Sequence, residues 1–168
     1  MACDNTYNTG DSVVVSWVAA CGDDIPLSTE ATPLVFAKVG STTTKAFGLE
    51  LGTTSVKTDD SGKFDDNIIN NYGADHSFSG FLRPDVVSEV SQQALITYIE
   101  GEVAANRNPT AWLRFTDPMT AKHYYRFVLF TGYSKPMSND DARSIDFSCQ
   151  LQATRVSTNS PIQEEAIV

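Results

Sequence analysis

The strictest pattern in this chain lies near its C-terminal end. Ile145, Phe147, Cys149, Leu151 and Ala153 alternate with Asp146, Ser148, Gln150, Gln152 and Thr154. A period of two sends successive side chains to opposite faces of a strand, so this segment has one buried and one hydrated face. A one-residue slip would exchange the faces, which pins the register. A chain carrying such a strand must build a sheet covered on one side only.

Other segments supply more strands. Val13, Val14, Val15, Trp17 and Val18 form a β-branched run. Residues 33–39, 45–51 and 77–83 read as further strands. In 45–51, Ala46, Gly48 and Glu50 alternate against Phe47, Leu49 and Leu51. Later, Ala111, Leu113 and Phe115 alternate with Trp112, Arg114 and Thr116. Asp117-Pro118 then makes a turn, and residues 123–133 form a long strand.

One segment has a different period. Val90, Ala94, Leu95, Tyr98, Ile99 and Val103 recur at helical spacing and form one apolar stripe for packing. Ser88 is placed as N-cap, with Glu89 beside the positive helix end. Pro109, after Asn106-Arg-Asn, stops continuation. A helix over 88–106 is about 28 Å long. Covering its stripe with sheet gives a mainly β fold with one α-helix: an antiparallel β-sandwich or open barrel with a packed helix.

The 168 residues suit one domain, expected over residues 1–156. Inside it, residues 52–75 form a long polar stretch holding Asp59, Asp60, Asp65 and Asp66. It reads as a loop, or as a protruding hairpin with loosely paired strands. Residues 157–168 lack periodicity and are expected to form a flexible tail.

Charge narrows function. Twelve Lys and Arg against 21 Asp and Glu give a net charge of −9. That balance disfavours gripping nucleic acid by its phosphates and docking on an anionic membrane. The opening residues, MACDNTYNTGDS, have neither the basic nor the apolar region of a signal peptide. Cys3, Cys21 and Cys149 are odd in number and widely spaced, which fits neither a disulfide scaffold nor a zinc site and suits a reducing compartment.

No motif announces an active site. His76 and His123 are the only histidines, no GxSxG elbow accompanies them, and both read as structural or surface residues. Cys21-Gly-Asp-Asp is turn chemistry. The acidic stretch fails as a calcium loop, because setting Gly62 at the invariant glycine puts Lys57 first and Ile68 last. Phosphate-binding glycine loops are absent. Tyr124, Tyr125, Phe127 and Phe130 share one strand, so half of them face the core rather than a stacked base. No catalytic residue, metal ligand or cofactor is expected.

The C-terminal half nevertheless has a recognisable order of elements. Ser77-Phe-Ser-Gly-Phe-Leu precedes the helix, and Pro109-Thr-Ala-Trp-Leu-Arg-Phe follows it. Then come Phe130-Thr-Gly-Tyr-Ser and Ser138-Asn-Asp-Asp-Ala-Arg-Ser-Ile-Asp-Phe: a strand, an acidic turn and a last alternating strand. This order, from His76 to Arg155, resembles the tail tube proteins of long-tailed bacteriophages, relatives of type VI secretion tube proteins. By position, residues 52–75 correspond to that family's extended hairpin loop.

The resemblance implies a non-enzymatic virion protein, assembled in the bacterial host cytoplasm. Its copies would close into hexameric rings stacked as a hollow tube. Its partners would be itself and other tail proteins: tape measure, terminator, and baseplate or tip. DNA would pass through without specific binding, and no cofactor or membrane is implied. Asp59, Asp60, Phe64, Asp65 and Asp66 are the expected ring-stacking residues. Alternatives are a related ring protein (terminator, baseplate or type VI tube), a monomeric ligand-binding β-barrel with an apolar cavity, and an enzyme built around His76 or His123.

Overall fold

A strand of 13 residues, Lys122–Ser134, is the spine of the molecule. The computed structural model describes residues 13–40, 42–56, 66–81, 87–136, 144–156 and 158–167. In chain order the elements are β1 (Val14–Val18), β2 (Ala37–Val39), β3 (Thr42–Ala46), β4 (Glu50–Val56), β5 (Asp66–Gly73), β6 (Asp75–Phe81), α1 (Val87–Ala104), β7 (Thr110–Asp117), β8 (Lys122–Ser134), β9 (Ser144–Leu151) and β10 (Ile162–Ala166). The main sheet runs β2-β1-β7-β8-β9-β6-β3, with β10 also beside β8. Every pairing in it is antiparallel. On one side β8 pairs with β7. On the other it pairs first with β10, through Lys122–Arg126, and then with β9, from Val128 onward.

The ends of this path are β2 and β3, yet only residues 40 and 41 separate them in the chain. The sheet therefore curls until its two edges are neighbours and encloses one core. Val15, Val39, Phe78, Leu113, Phe115, Val128, Phe130, Ile145 and Phe147 fill it, together with Leu95, Ile96 and Ile99 of α1. This is the sandwich-like, half-closed barrel with a packed helix that the patterning demands.

The buried helix stripe is Gln92, Leu95, Ile96 and Ile99, spaced i, i+3, i+4, i+7. It differs from the expected stripe. Leu95 and Ile99 are buried and Tyr98 is half-buried, but Ala94 and Val103 are exposed. Ala94 is two residues from both Gln92 and Ile96, about 200° round the helix, so it falls on the outer face. Val103 lies in the capped last turn, past the covered stripe. The side chain of Val90 lies outside the described residues. Gln92 donates from Nε2 to the Gly40 carbonyl at 2.7 Å, tying the helix to the β2–β3 link. The helix ends on Asn106, at φ 53°. There Asn106 N–H bonds Val103 O at 3.0 Å and Arg107 N–H bonds Glu102 O at 2.8 Å, which is a Schellman cap.

The outer side of β7 and β8 is apolar too. Trp112, Tyr125 and Phe127 are covered by Val18, Ala20, Leu27, Leu34 and Phe36. This is why residues 33–39 do not form one strand. Leu34 and Phe36 are drawn onto that surface, and only Ala37–Val39 pairs with β1. Likewise 45–51 is broken between β3 and β4, because Phe47 stacks on Phe115 with ring centroids 4.9 Å apart.

Of the two readings of residues 52–75, loop or hairpin, the structure shows the hairpin, with β4 paired to β5. One further expectation changes. Residues 157–168 were expected to be a loose tail, but Ile162–Ala166 pairs with β8. Backbone bonds to β8 do not need side-chain alternation. Polar contacts fix the segment as well: Asn159 Nδ2 donates to Gly22 O at 2.6 Å and to Asp24 O at 3.1 Å. Glu165 accepts from Ser28 Oγ at 2.6 Å and from Tyr125 Oη at 2.9 Å.

At Gly22 the Cys21–Asp24 turn lies tight against the segment that follows β9. A Cβ there would lie 2.5 Å from the Thr154 carbonyl oxygen and 2.7 Å from its Cα. Those atoms are backbone and cannot swing away. Gly22→Ala is expected to cost about 1–3 kcal/mol, the usual scale of overpacking. A urea titration of the variant beside the parent chain measures it.

Candidate assembly surfaces

The β4–β5 hairpin is a two-stranded sheet of its own, separate among the described residues from the main sheet. Leu51 sits opposite Tyr72, and Thr53 opposite Ile69. The ladder shifts between Gly52 and Thr53, leaving Asn70 as an extra residue. That bulge puts Tyr72 and Ile69, three apart in sequence, on the same face as Leu51. All three are uncovered: Tyr72 is 67% exposed and Leu51 49%. Ile68 lies exposed on the opposite face, and Leu49 is exposed at the root. Five large apolar side chains on one projecting hairpin form the kind of surface that marks a protein contact.

Of the residues expected to stack rings, Asp59, Asp60, Phe64 and Asp65 lie outside the described residues. Asp66 is the first residue of β5, paired with Val56. The sequence places Leu49 and Leu51 on one face of a strand but does not mark them, or Ile68, Ile69 and Tyr72, as a contact surface. Thr, Asn and Gly dilute them, and only the bulge gathers three of them on one face.

The hairpin's root is tied to the open end of the barrel. Phe47 stacks on Phe115 and lies 5.3 Å from the Tyr124 ring, centroid to centroid. The Arg126 guanidinium carbon stands 5.4 Å from the Phe47 centroid, a cation–π contact. Gly48 N–H donates to His76 Nδ1 at 3.3 Å. His76 is 1% exposed and its Nε2 has no hydrogen-bond partner. Burial lowers its pKa from 6.5 to about 4; nearby Arg126 pushes the same way, and Asp75 opposes. The ring is therefore neutral, with its proton on Nε2 because Nδ1 accepts. Arg126 is also buried, and burial lowers its pKa. Its Nη1 donates to Tyr125 O at 2.8 Å, and among the described residues it has no carboxylate ion pair.

A third surface is the outer side of β6 and β9. The inward residues are His76, Phe78, Ile145, Phe147 and Cys149. Outward stand Asp75, Ser77 and Ser79 of β6, opposite Gln150, Ser148 and Asp146 of β9. Gln150 Nε2 donates to Asp75 Oδ1 at 3.0 Å. These six residues carry hydroxyls, an amide and carboxylates but no cation, and Phe81, opposite Ser144, stands exposed on the same face at the end of β6. Among the described residues, no His, Cys, Asp and Glu side chains gather as a metal site. His123 bonds Thr116 across the β7–β8 ladder at 2.9 Å, and β9 stands between its strand and the β6 that carries His76.

No protein-family model matches the chain, and no curated protein matches it. Solved structures do. The tail of an empty gene transfer agent particle, refined with C6 symmetry, superposes with a TM-score of 0.62 at 12% identity, covering 94% of this chain and 98% of that one. The SPP1 tail tube gives 0.53 at 9% identity, over 94% of this chain and 78% of that one. This is the tail-tube fold. A chain of the anti-feeding prophage baseplate shares it at TM-score 0.53 and 4% identity, over 92% and 93% of the two chains.

Within that fold the hairpin face and the core should respond differently to substitution. Tyr72→Ser is expected to shift stability by no more than about 0.5 kcal/mol, as for an uncovered surface residue. Phe78→Ala, which empties a site in the core, is expected to cost about 3–5 kcal/mol. Chemical denaturation of the two variants checks the contrast.

Proposed function

We propose that this chain is a structural tail-tube subunit of a phage or phage-derived particle. Its copies close into hexameric rings, the rings stack, and the resulting tube is a conduit for DNA. It is a virion component, assembled in the bacterial host cytoplasm, and it meets the tape measure, terminator and baseplate proteins at the ends or inside of the tube. It carries out no catalysis. The observation that carries this reading is a tail-tube fold in which a hairpin separate from the main sheet, β4–β5, leaves Leu51, Ile69 and Tyr72 uncovered.

The physics suits assembly. Burying these three side chains against a neighbouring copy is worth about 1.5–3 kcal/mol for each one fully covered. Each ring repeats the contact around a closed symmetry, so modest pairwise terms add up. The outer face of β6 and β9 is assigned to the bore. Its Ser77, Ser79, Ser148 and Gln150 offer hydrogen bonds to water, while Asp75 and Asp146 repel phosphates, so DNA slides instead of sticking. The outer face of β7 and β8 does not suit the bore, because the chain's own residues 20–36 cover it.

A terminator would stop at one ring, whereas a tube subunit makes open-ended filaments. Negative-stain electron microscopy over a concentration series separates the two. Hollow filaments are expected from the parent chain. Leu51→Asp with Tyr72→Asp, and separately deletion of residues 53–72, are expected to leave a folded subunit by circular dichroism and abolish stacking. Filaments of normal length from either variant would overturn the role given to the hairpin.

A further inference from the structure

We infer that Phe47, Gly48, His76 and Arg126 form a latch at the hairpin root, and that protonation of His76 opens it. The inference rests on the assembly reading only for its consequence: an opened root frees the hairpin from the angle at which it meets a neighbour.

The geometry is that of a hinge. Residues 47–49 join β3, which belongs to the barrel, to β4, which does not. On the return side, only Ala74 separates β5 from β6. Both crossings are held by buried groups. Phe47 stacks on Phe115 beneath the Arg126 guanidinium, and Gly48 N–H is accepted by His76 Nδ1. On the other crossing, the carbonyl of Ala74, itself buried, accepts from Leu151 N–H at 2.9 Å. Among the described residues, His76 is thus a titratable acceptor at the hinge.

Protonation converts that acceptor into a donor. Nδ1–H then faces Gly48 N–H, two donors with no acceptor between them. Nε2–H already lacks a partner, so the imidazolium has no compensation inside. The charged groups around it make this worse. Arg126, on β8, is a like charge. Cys149, from β9, is a neutral thiol whose Sγ bonds the His76 carbonyl rather than its ring. Residues 47–49 carry no charge. β3, packed against β6, carries a further cation, Lys45, opposite Phe78. Among the described residues the group that opposes is Asp75 on β6 itself, which is exposed and bonded to Gln150. Glu164 of β10 acts on Arg126 rather than on the ring.

The sign follows from linkage. With the root open and His76 in water, the ring takes a proton near 6.5; latched, it does so only at about 4. The open form binds more protons between those values, so the latch is complete above about pH 6.5 and weakens as pH falls towards 4. By about pH 5 the open-to-closed ratio rises about 30-fold.

Amide hydrogen exchange tests this on the full chain, under conditions where it is monomeric. Protection corrected for intrinsic rates is compared at about pH 7 and about pH 5 for the parent and for His76→Asn, whose amide oxygen accepts a hydrogen bond but does not titrate. In the parent, peptides covering 46–56 and 66–73 are expected to lose roughly 30-fold in protection, while β7 and β8 keep theirs. His76→Asn is expected to show no pH effect in the hairpin peptides. Equal loss in both proteins, or none in the parent, overturns the latch. Should the variant fail to fold, nuclear magnetic resonance of the parent decides: the Gly48 amide must shift with the His76 imidazole, and a Gly48 signal that ignores that titration sinks the proposal. Filament formation scored separately at about pH 7 judges the assembly reading, which survives the loss of the latch.

Discussion

Everything in this molecule hangs on β8. It has β7 along one edge and two successive partners along the other, so its backbone is committed nearly throughout. Its side chains are committed on both faces: Val128 and Phe130 fill the barrel, while Tyr125 and Phe127 hold the covering segment. A strand buried on both faces loses the simple alternation of a half-exposed one. It gains the ability to organise two layers at once. The covering residues 20–36, the C-terminal strand β10 and the half-closed barrel all meet on it.

This arrangement divides the surface into parts with different duties. The sheet's outer face is hidden where β7 and β8 lie and open where β6 and β9 lie. The hidden part is apolar and lies under the molecule's own chain. The open part is polar and acidic. Short edges complete the division, since β2 has three residues and β3 carries Lys45 among threonines, devices that discourage indiscriminate strand pairing. Among the described residues the hairpin gathers several exposed apolar side chains for a contact with another copy, and a bulge brings Leu51, Ile69 and Tyr72 onto one face.

How far the sequence shows this depends on the range of the forces involved. The alternation at 145–154 does become a strand, though pairing stops at Leu151, where Gln152 N–H turns to the Phe127 carbonyl. The helix is legible because a 3.6-residue period and a stop at Asn106-Arg-Asn-Pro are local signals. Its buried stripe is less so: Gln92 is polar, yet it is buried because Gly40, 52 residues away, supplies an acceptor. The split of 45–51 is invisible locally, since Phe47 leaves the strand for a ring on β7. β10 is invisible as well, because Ile-Gln-Glu-Glu-Ala has no pattern and is held by backbone bonds and by Asn159. Among the surfaces, the hydrated face of β9 could be read directly, whereas the hairpin's apolar face and the His76–Gly48 contact required the register and the fold.

The wide separation of partners along the chain also sets a timetable. The hairpin closes over the nine residues between β4 and β5, while β1 must find β7 across almost a hundred positions. Loop-closure entropy favours the first event, and the second is slow. A folding chain is therefore expected to carry a formed hairpin while the barrel is still incomplete, with the contact surface on show before the subunit is ready to use it. Newly made chains at high local concentration would then stick prematurely. The excess of nine negative charges gives each immature chain a reason to keep its distance from the next.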